Sequence, residues 1–166
     1  MKNAIRPVII KGDVAIVPLT RGYEAIIDAE DAIEIGKYNW AVAIRGKKIY
    51  AARSVWAAQS TEMMHRRLMK EPKRLVDHID GDGLNNRKLN LRKATRSQNA
   101  MNGEMHVDNK SGFKGVSYHK ARGKWVAWIM REGNRKYLGL FGNPESAHAA
   151  YVEAAKEHHG KFARFK

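Results

Sequence analysis

No cysteine occurs in the 166 residues. Disulfides and cysteine-ligated zinc are therefore excluded, and a reducing compartment such as the cytoplasm is expected. Long apolar runs are also missing. Nothing approaches the ~20 residues of a membrane-spanning helix, and no long basic amphipathic helix suggests a membrane surface. The opening stretch MKNAIRPVIIKGD is basic, but its apolar run is too short for a signal peptide. Acidic residues are scarce, 17 Asp and Glu against 31 Lys and Arg, giving a net charge of +14. An excess of that size points to a polyanionic partner, nucleic acid first.

The excess is uneven. Residues 1–63 hold nine Lys/Arg against seven Asp/Glu, residues 64–102 ten against four, and residues 103–166 twelve against six. The polyanion is thus expected to meet the middle and the C-terminal part of the chain. No internal repeat is visible.

Residues 13–28, DVAIVPLTRGYEAIID, give two short β-type runs broken at Arg21-Gly22. AEDAIEIGKY predicts a short helix with acidic residues in its first turn and Gly36 near its end. NWAVAIRGKKIYAARSV predicts a hairpin about Arg45-Gly46-Lys47. TEMMHRRLM predicts one or two helical turns capped by Thr61. Residues 102–112, NGEMHVDNKSG, lack periodicity and are expected to be a linker. Beyond them GVSYH, KWVAWIM and RKYLGLF predict three strands separated by glycine-containing turns, at Ala121-Arg122-Gly123 and Glu132-Gly133-Asn134. NPESAHAAYVEAAKEHHG then predicts a helix capped by Asn143, with Pro144 at its first position and Gly160 after its last turn. Ala147, Ala150, Tyr151, Ala154 and Ala155 share one face at helical spacing, suited to close packing on a flat sheet. The fold class is therefore α+β.

The most unusual stretch is VDHIDGDGLNNRKLNLRKATRSQNAMN, residues 76–102. An EF-hand calcium loop is excluded, because no register that uses Asp80 and Asp82 as ligands ends in the required glutamate. A polar hairpin loop would account for DGDG and NN taken alone. The flanks argue for more. Leu75-Val76 lead into Asp77-His78 at a strand end, Leu89-Asn90-Leu91 open a second strand, and Thr95 with Gln98 forms a capping box for a helix. Asp77, His78, Asn90 and Asn99 fall at the junctions. A carboxylate and an amide oxygen suit Mg²⁺, and an imidazole suits proton removal from water. Neighbours on a regular strand point to opposite sides, so Asp77 and His78 share a site only if the strand ends or bulges there.

Asp77-His78-Ile79-Asp80-Gly81, Asn85-Asn86-Arg87, Asn90-Leu91-Arg92, Thr95 and Asn99, with MHRRLM upstream, resemble the HNH endonuclease motif, the ββα-metal fold. More narrowly they are similar to the HNH homing endonucleases of phages and introns. The resemblance covers residues 20–102. It implies His78 as general base, Asp77 and Asn99 as ligands of one Mg²⁺ (or Mn²⁺) per site with no zinc, and Asn90 as the brace of the loop carrying His78. Asn99 stands where many members have the final histidine. His65, Arg66, Arg67, Arg87, Arg92 and Arg96 are expected to hold phosphates.

GFKGVSYHKARGKWVAWIM, YLGLFGNPESAHAAYVEAA and the following Gly resemble the plant-type Apetala or ethylene-response-factor DNA-binding domain, over residues 111–164. That resemblance implies a three-stranded antiparallel sheet laid in the major groove of double-stranded DNA, with one helix behind it. Period-two alternation puts Trp125, Ala127 and Ile129 toward the helix and Lys124, Val126, Trp128 and Met130 on the other face. By family position the DNA-facing set is Lys114, Ser117, His119, Lys124, Trp128, Met130, Arg135 and Tyr137. Several usual arginines are Ser117, His119 and Met130 here, so fewer bidentate guanine contacts are available. The expected organisation is a β-rich scaffold with an HNH module over 1–101 (motif 75–101), a linker over 102–112, and the DNA-binding domain over 113–166. The expected function is a metal-dependent DNA endonuclease, by default a monomer that nicks one strand, encoded by a phage or mobile element. A DNA-binding regulator with an inactive HNH module is the alternative.

Overall fold

The computed structural model describes residues 4–71, 75–105, 108–131 and 133–165. The chain divides into two compact units, Met1–Ala94 and Thr95–Lys166. Among the described residues no helix is long and apolar enough to cross a membrane.

The first unit begins with a three-stranded antiparallel sheet of β1 (Ile9–Lys11), β2 (Val14–Pro18) and β3 (Glu24–Asp28). The break expected at Arg21-Gly22 is a single 3-10 turn, while β1 was not foreseen. Alternation sorts β2 and β3 into two faces. Ala15, Val17, Ala25 and Ile27 face the core, and Ile16 pairs with Ile26 on the other side. Ala29–Asp31 and α1 (Ala32–Ile35) form the expected short helical segment, ending at Gly36. Trp40, 1 % exposed, fills the core beneath it and donates its indole N–H to Ile35 O at 3.0 Å, so the buried ring leaves no polar atom unpaired.

A second sheet follows, β4 (Ala41–Arg45), β5 (Lys48–Val55) and β6 (Ser60–Met63). Arg45 pairs with Lys48, so the hairpin turns on Gly46-Lys47 as predicted. Thr61 is not a cap. It pairs with Ser54 within β6, and α2 (Met64–Leu68) starts three residues later. The segment Ser60–Met63 lacks a core pattern of its own and becomes strand because β5 offers it an edge.

β7 (Leu75–His78) and β8 (Leu91–Ala94) pair antiparallel, with Asp77 opposite Arg92 and His78 opposite Leu91. The loop between them is built onto β3. Ile26 N–H donates to Leu84 O at 2.9 Å, and Asn86 N–H donates to Ile26 O at 2.7 Å. Asp28 extends this seam, accepting from Lys88 N–H at 2.8 Å and from Arg87 Nε at 2.9 Å. Arg87 also reaches Asp13 at 2.7 Å, and Lys88 Nζ reaches Glu30 at 2.6 Å.

The second unit opens with α3 (Arg96–Met101). The predicted capping box is present: Thr95 Oγ1 accepts from Gln98 N–H, and Gln98 Oε1 accepts from Thr95 N–H. The unit boundary before Thr95 differs from the expected one, in which this helix ends the first module and 102–112 forms a linker. The reason is Lys114. Its ammonium, expected to face DNA, is turned inward to Met101 O at 2.8 Å and Gly103 O at 2.6 Å, which ties the end of α3 into this unit. Burial pulls its pKa down to about 8. His106 and Val107 of the expected linker, and Glu132 of the second predicted turn, lie outside the described residues.

β9 (Val116–His119), β10 (Lys124–Arg131) and β11 (Asn134–Phe141) form the expected antiparallel sheet in the order β11-β10-β9. α4 (Pro144–His159) packs on it with Asn143 accepting from Ser146 N–H at 2.8 Å. Ala127 and Val116 meet Ala147, and Ile129 meets Tyr151, Ala154 and Ala155. Gly115 is required here. A Cβ would lie 2.2 Å from the Tyr151 ring, at φ +77°.

The Asp28 seam has a pH signature. Burial pushes the Asp28 carboxyl up, but hydrogen bonds from Lys88 N–H and the Arg87 guanidinium prevail and hold it below its usual value. A depressed folded pKa stabilises above the unfolded value, ~3.9, and that stabilisation is lost as pH falls through the folded value. Asp28→Asn is expected to cost about 1–3 kcal/mol at pH 7 in urea unfolding. The gap to the wild type should close as pH drops below about 4; a gap independent of pH would show that the Asp28 charge is not what holds the loop.

Candidate functional site

β7 ends at His78 and the chain turns at once, with Gly81 at φ +82°. The turn is held by reciprocal bonds. Asn90 Oδ1 accepts from Asp80 N–H at 3.1 Å, and Asn90 Nδ2 donates to Asp80 Oδ1 at 2.9 Å and to Asn85 O at 2.8 Å. Asp80 Oδ2 accepts from Asn85 Nδ2 at 2.7 Å. Burial pushes the Asp80 carboxyl up, yet bonds from Asn90, Asp82 N–H and Asn85 bring it below its usual value. Asp80 is thereby spent on loop structure, and Asn90 makes the bonds of a loop brace.

The His78 imidazole is 5 % exposed. Its Nε2 lies 3.4 Å from Asn86 Oδ1, and its ring sits 5.0 Å from His65 and 6.0 Å from Tyr50. Burial lowers its pKa, opposed by the Asn86 hydrogen bond and by the charges of Asp80, Asp77 and Asp82. His65, expected as a phosphate contact, is instead 6 % exposed and packed edge-on to His78. Burial, with His78, Arg66 and Arg45 nearby, drops its pKa to about 3, so it stays neutral at physiological pH. Tyr50, His65 and Asn86 complete the environment of His78, and sequence reasoning assigned none of them to that role. The only signal was the Asn85-Asn86 pair inside the motif.

Asp77 turns to a different partner. Arg92 donates to Asp77 Oδ2 from Nε at 2.8 Å and approaches it with Nη2 at 2.7 Å. Both side chains are nearly buried, at 6 % and 11 % exposure. Asp77 thus pairs with Arg92, whereas His78 meets Asn86, His65 and Tyr50. Asn99 lies on α3, in the second unit. Among the described residues no group of three or more His, Cys, Asp or Glu could hold a metal ion.

Several expected phosphate contacts are engaged elsewhere. Arg67 pairs with Glu62 and Glu34, Arg87 with Asp13 and Asp28, and Arg92 with Asp77. Arg66 is half-buried. Arg67 and Arg53 also flank the Tyr38 ring, at 4.8 and 3.7 Å.

In the second unit, cross-strand pairing puts the expected DNA-facing residues, Lys114 apart, on the sheet face away from α4. His119 pairs with Lys124, Ser117 with Val126, Tyr137 with Trp128, and Arg135 with Met130. A bulge between Ala127 and Trp128 carries the register across Leu138. Val126, expected to be open, is 4 % exposed, while Met130 and Tyr137 are 50 % exposed. Trp128 is half-buried, with Arg135 stacked 4.5 Å over its ring and Tyr137 edge-on at 5.2 Å. It also lines a groove of about 670 Å³ with Arg96, Ala100 and Met101 of α3. The chain itself thus supplies part of the cover that an exposed indole would need. Arg96 at that groove's rim is the one expected phosphate ligand of the motif region placed in the second unit.

The chain carries two DNA-handling modules. An HNH endonuclease family model matches residues 70–101 and an AP2 domain model matches residues 111–161. It is 36 % identical over 91 residues to Protein 3.8 of Escherichia phage T7, spanning 55 % of this chain and 74 % of that protein, and it belongs to the same family. No solved structure matches it.

The loop must also lie flat on β5. A Cβ at Gly83 would fall 2.2 Å from Ile49 O and 2.6 Å from the Tyr50 ring. Gly83→Ala is expected to destabilise the first unit by about 1–3 kcal/mol, as overpacking does. Thermal unfolding checks this. An unchanged melting temperature would mean that the loop moves off β5 without cost.

Proposed function

We propose that the protein is a divalent-metal-dependent DNA endonuclease of HNH type. The observation that carries this is His78, a buried imidazole ending a strand, hydrogen-bonded to a buried amide and followed by a loop braced through Asn90. Burial keeps His78 neutral near pH 7, so a ring nitrogen can take the proton of a water attacking phosphorus. The P–O3′ bond then breaks, leaving a 5′-phosphate and a 3′-hydroxyl. By the motif's pattern Asp77 would offer a carboxylate oxygen and Asn99 an amide oxygen, donor types suited to Mg²⁺ or Mn²⁺. When bound, that ion supplies Lewis-acid charge to the scissile phosphate. The sheet of the second unit grips double-stranded DNA. A single site in a monomer cuts one strand per engagement, so nicking is the expected product. A homing enzyme of a phage, acting in the host cytoplasm, fits this reading.

One observation favours a second reading. Asp77, the proposed ligand, is held by Arg92 at 2.8 Å. Were that ion pair permanent, the module would be structural and the protein a DNA-binding regulator. Incubation with supercoiled DNA and Mg²⁺ separates the two, since only the nuclease gives a relaxed or linear product that EDTA suppresses.

His78→Ala is expected to slow cleavage ~10²–10⁴-fold while DNA affinity stays within a few-fold, because the base acts on water. Gel nicking and a binding titration check both arms, and wild-type cleavage by the variant would sink the assignment. Arg135 has the fork geometry for guanine and is expected to read bases. Arg135→Ala should cost about 1–3 kcal/mol at the preferred site and much less on random DNA. Equal losses on both would make it a phosphate contact.

A further inference from the structure

The β4–β5 hairpin runs along the motif loop. Lys48 Nζ reaches Gly81 O at 3.4 Å, and Ile49 O and the Tyr50 ring close the space beside Gly83. Register decides which side chains share the face of Tyr50. Ala43 pairs with Tyr50, Ile44 with Ile49, and Arg45 with Lys48. Alternation by two therefore puts Arg45 and Lys48 on the same face as Tyr50. That face meets the histidine pair, since the Tyr50 ring lies 5.8 Å from His65 and 6.0 Å from His78. Arg45 stands one pair further along it, ~7 Å toward the tip. Burial, then the charges of His78, Arg66 and Arg45, lower the His65 pKa to about 3, so the guanidinium is within electrostatic reach of that pair. The turn itself has only two residues, Gly46 at φ +59° and Lys47, which keeps the tip short and stiff. Arg45 and Lys47 are exposed, and among the described residues neither forms an ion pair or a side-chain hydrogen bond. Cations elsewhere in this unit are matched, Arg53 and Arg67 with Glu62, Arg87 with Asp28 and Lys88 with Glu30. At the tip the charge is left for a partner outside the chain.

We propose that the β4–β5 tip is a phosphate clamp, in which Arg45, with Lys47 beside it, holds a backbone phosphate of double-stranded DNA next to the phosphate presented to His78. This rests on the nuclease reading of the first unit. A guanidinium suits the task because its planar fork offers two N–H donors to two phosphate oxygens, while the lysine adds a point charge. Contacts of this kind fix register and orientation on the duplex without reading its sequence. The clamp therefore places the strand for cutting, and the choice of site stays with the bases read by the second unit.

The test uses the full-length protein and duplex DNA in EDTA, so that no cleavage is required. In the wild type, DNA is expected to protect Arg45 from phenylglyoxal and Lys47 from acetylation, read by mass spectrometry. The exposed Lys11 and Lys37 should keep their free-protein reactivity. In binding titrations, the slope of log affinity against log salt should become shallower by ~0.9 in Arg45→Ala and by ~1.8 when Lys47→Ala is added. Arg45→Lys keeps the charge and should keep the slope, and a Lys11→Ala, Lys37→Ala pair should leave it unchanged. An Arg45 that stays reactive in the wild-type complex overturns the clamp, and that arm needs no variant to fold. An unchanged slope in the tip variants overturns it too, as does an equal loss in the control pair, which would make the effect one of general charge. Failure of the nuclease reading looks different: a wild-type protein that never nicks supercoiled DNA in Mg²⁺, yet shows Arg45 and Lys47 protected, has a clamp that serves DNA binding alone.

Discussion

Everything at the candidate site hangs on one short seam, the edge of β3 paired with the segment before Arg87. Two backbone hydrogen bonds, Ile26 N–H to Leu84 O and Asn86 N–H to Ile26 O, attach a polar loop to a strand whose other face is core. Of the loop's apolar side chains Leu84 packs against the core while Ile79 and Leu89 stay exposed, so backbone pairing and charge carry much of its position. Asp28 supplies the charge by accepting from both Lys88 N–H and Arg87. With the loop fixed, Asn86 is buried and aimed, and His78 at the end of β7 has a partner. The N-terminal sheet is thus a mould for the site, and its inner face of Ala15, Ala25 and Ile27 is small enough to let the core close under it.

Parts whose signals are local were legible in the sequence. The capping box at Thr95, the Asn143-Pro144 helix start, the Gly46-Lys47 turn and the β9–β11 alternation each depend on residues close in the chain, and each stands where it was expected. What was missed needed a partner far away. β1 and β6 are strands because neighbouring edges were open to them, which neither of their short segments announces. Lys114 looked like a surface lysine in a basic chain. Its inward course to Met101 O and Gly103 O depends on where α3 ends.

The motif was legible in its letters, and the geometry of its side chains was not. Asp77, His78 and Asn90 were picked from the motif, and Asn90 makes the bonds of a loop brace. Asn86 lies in the same motif, but its burial and its bonds to the Gly83 and Leu84 carbonyls depend on the fold. His65 was misplaced for a related reason. In sequence it sits beside Arg66 and Arg67 and reads as a basic run, whereas on α2 it points inward while Arg67 points to Glu62 and Glu34. Helical geometry separates neighbours by about 100°, so a run of like residues in sequence need not be a patch in space.

The same distinction governs how charge is deployed. Counted along the chain, residues 64–102 are as basic as the C-terminal part. In the fold much of that charge is already neutralised. Arg67, Arg87, Lys88, Arg92 and Lys93 each pair with a carboxylate, and a cation already paired neutralises phosphate less and so releases fewer of the counterions condensed on DNA. In the second unit Lys120, Arg122, Lys124 and Lys136 are exposed and form no ion pair among the described residues. Lys124 shares its face with His119, Met130, Arg135 and Tyr137. Non-specific attraction to DNA, which scales with the phosphates neutralised, therefore belongs chiefly to the second unit. The first unit spends several of its cations on holding the loop still.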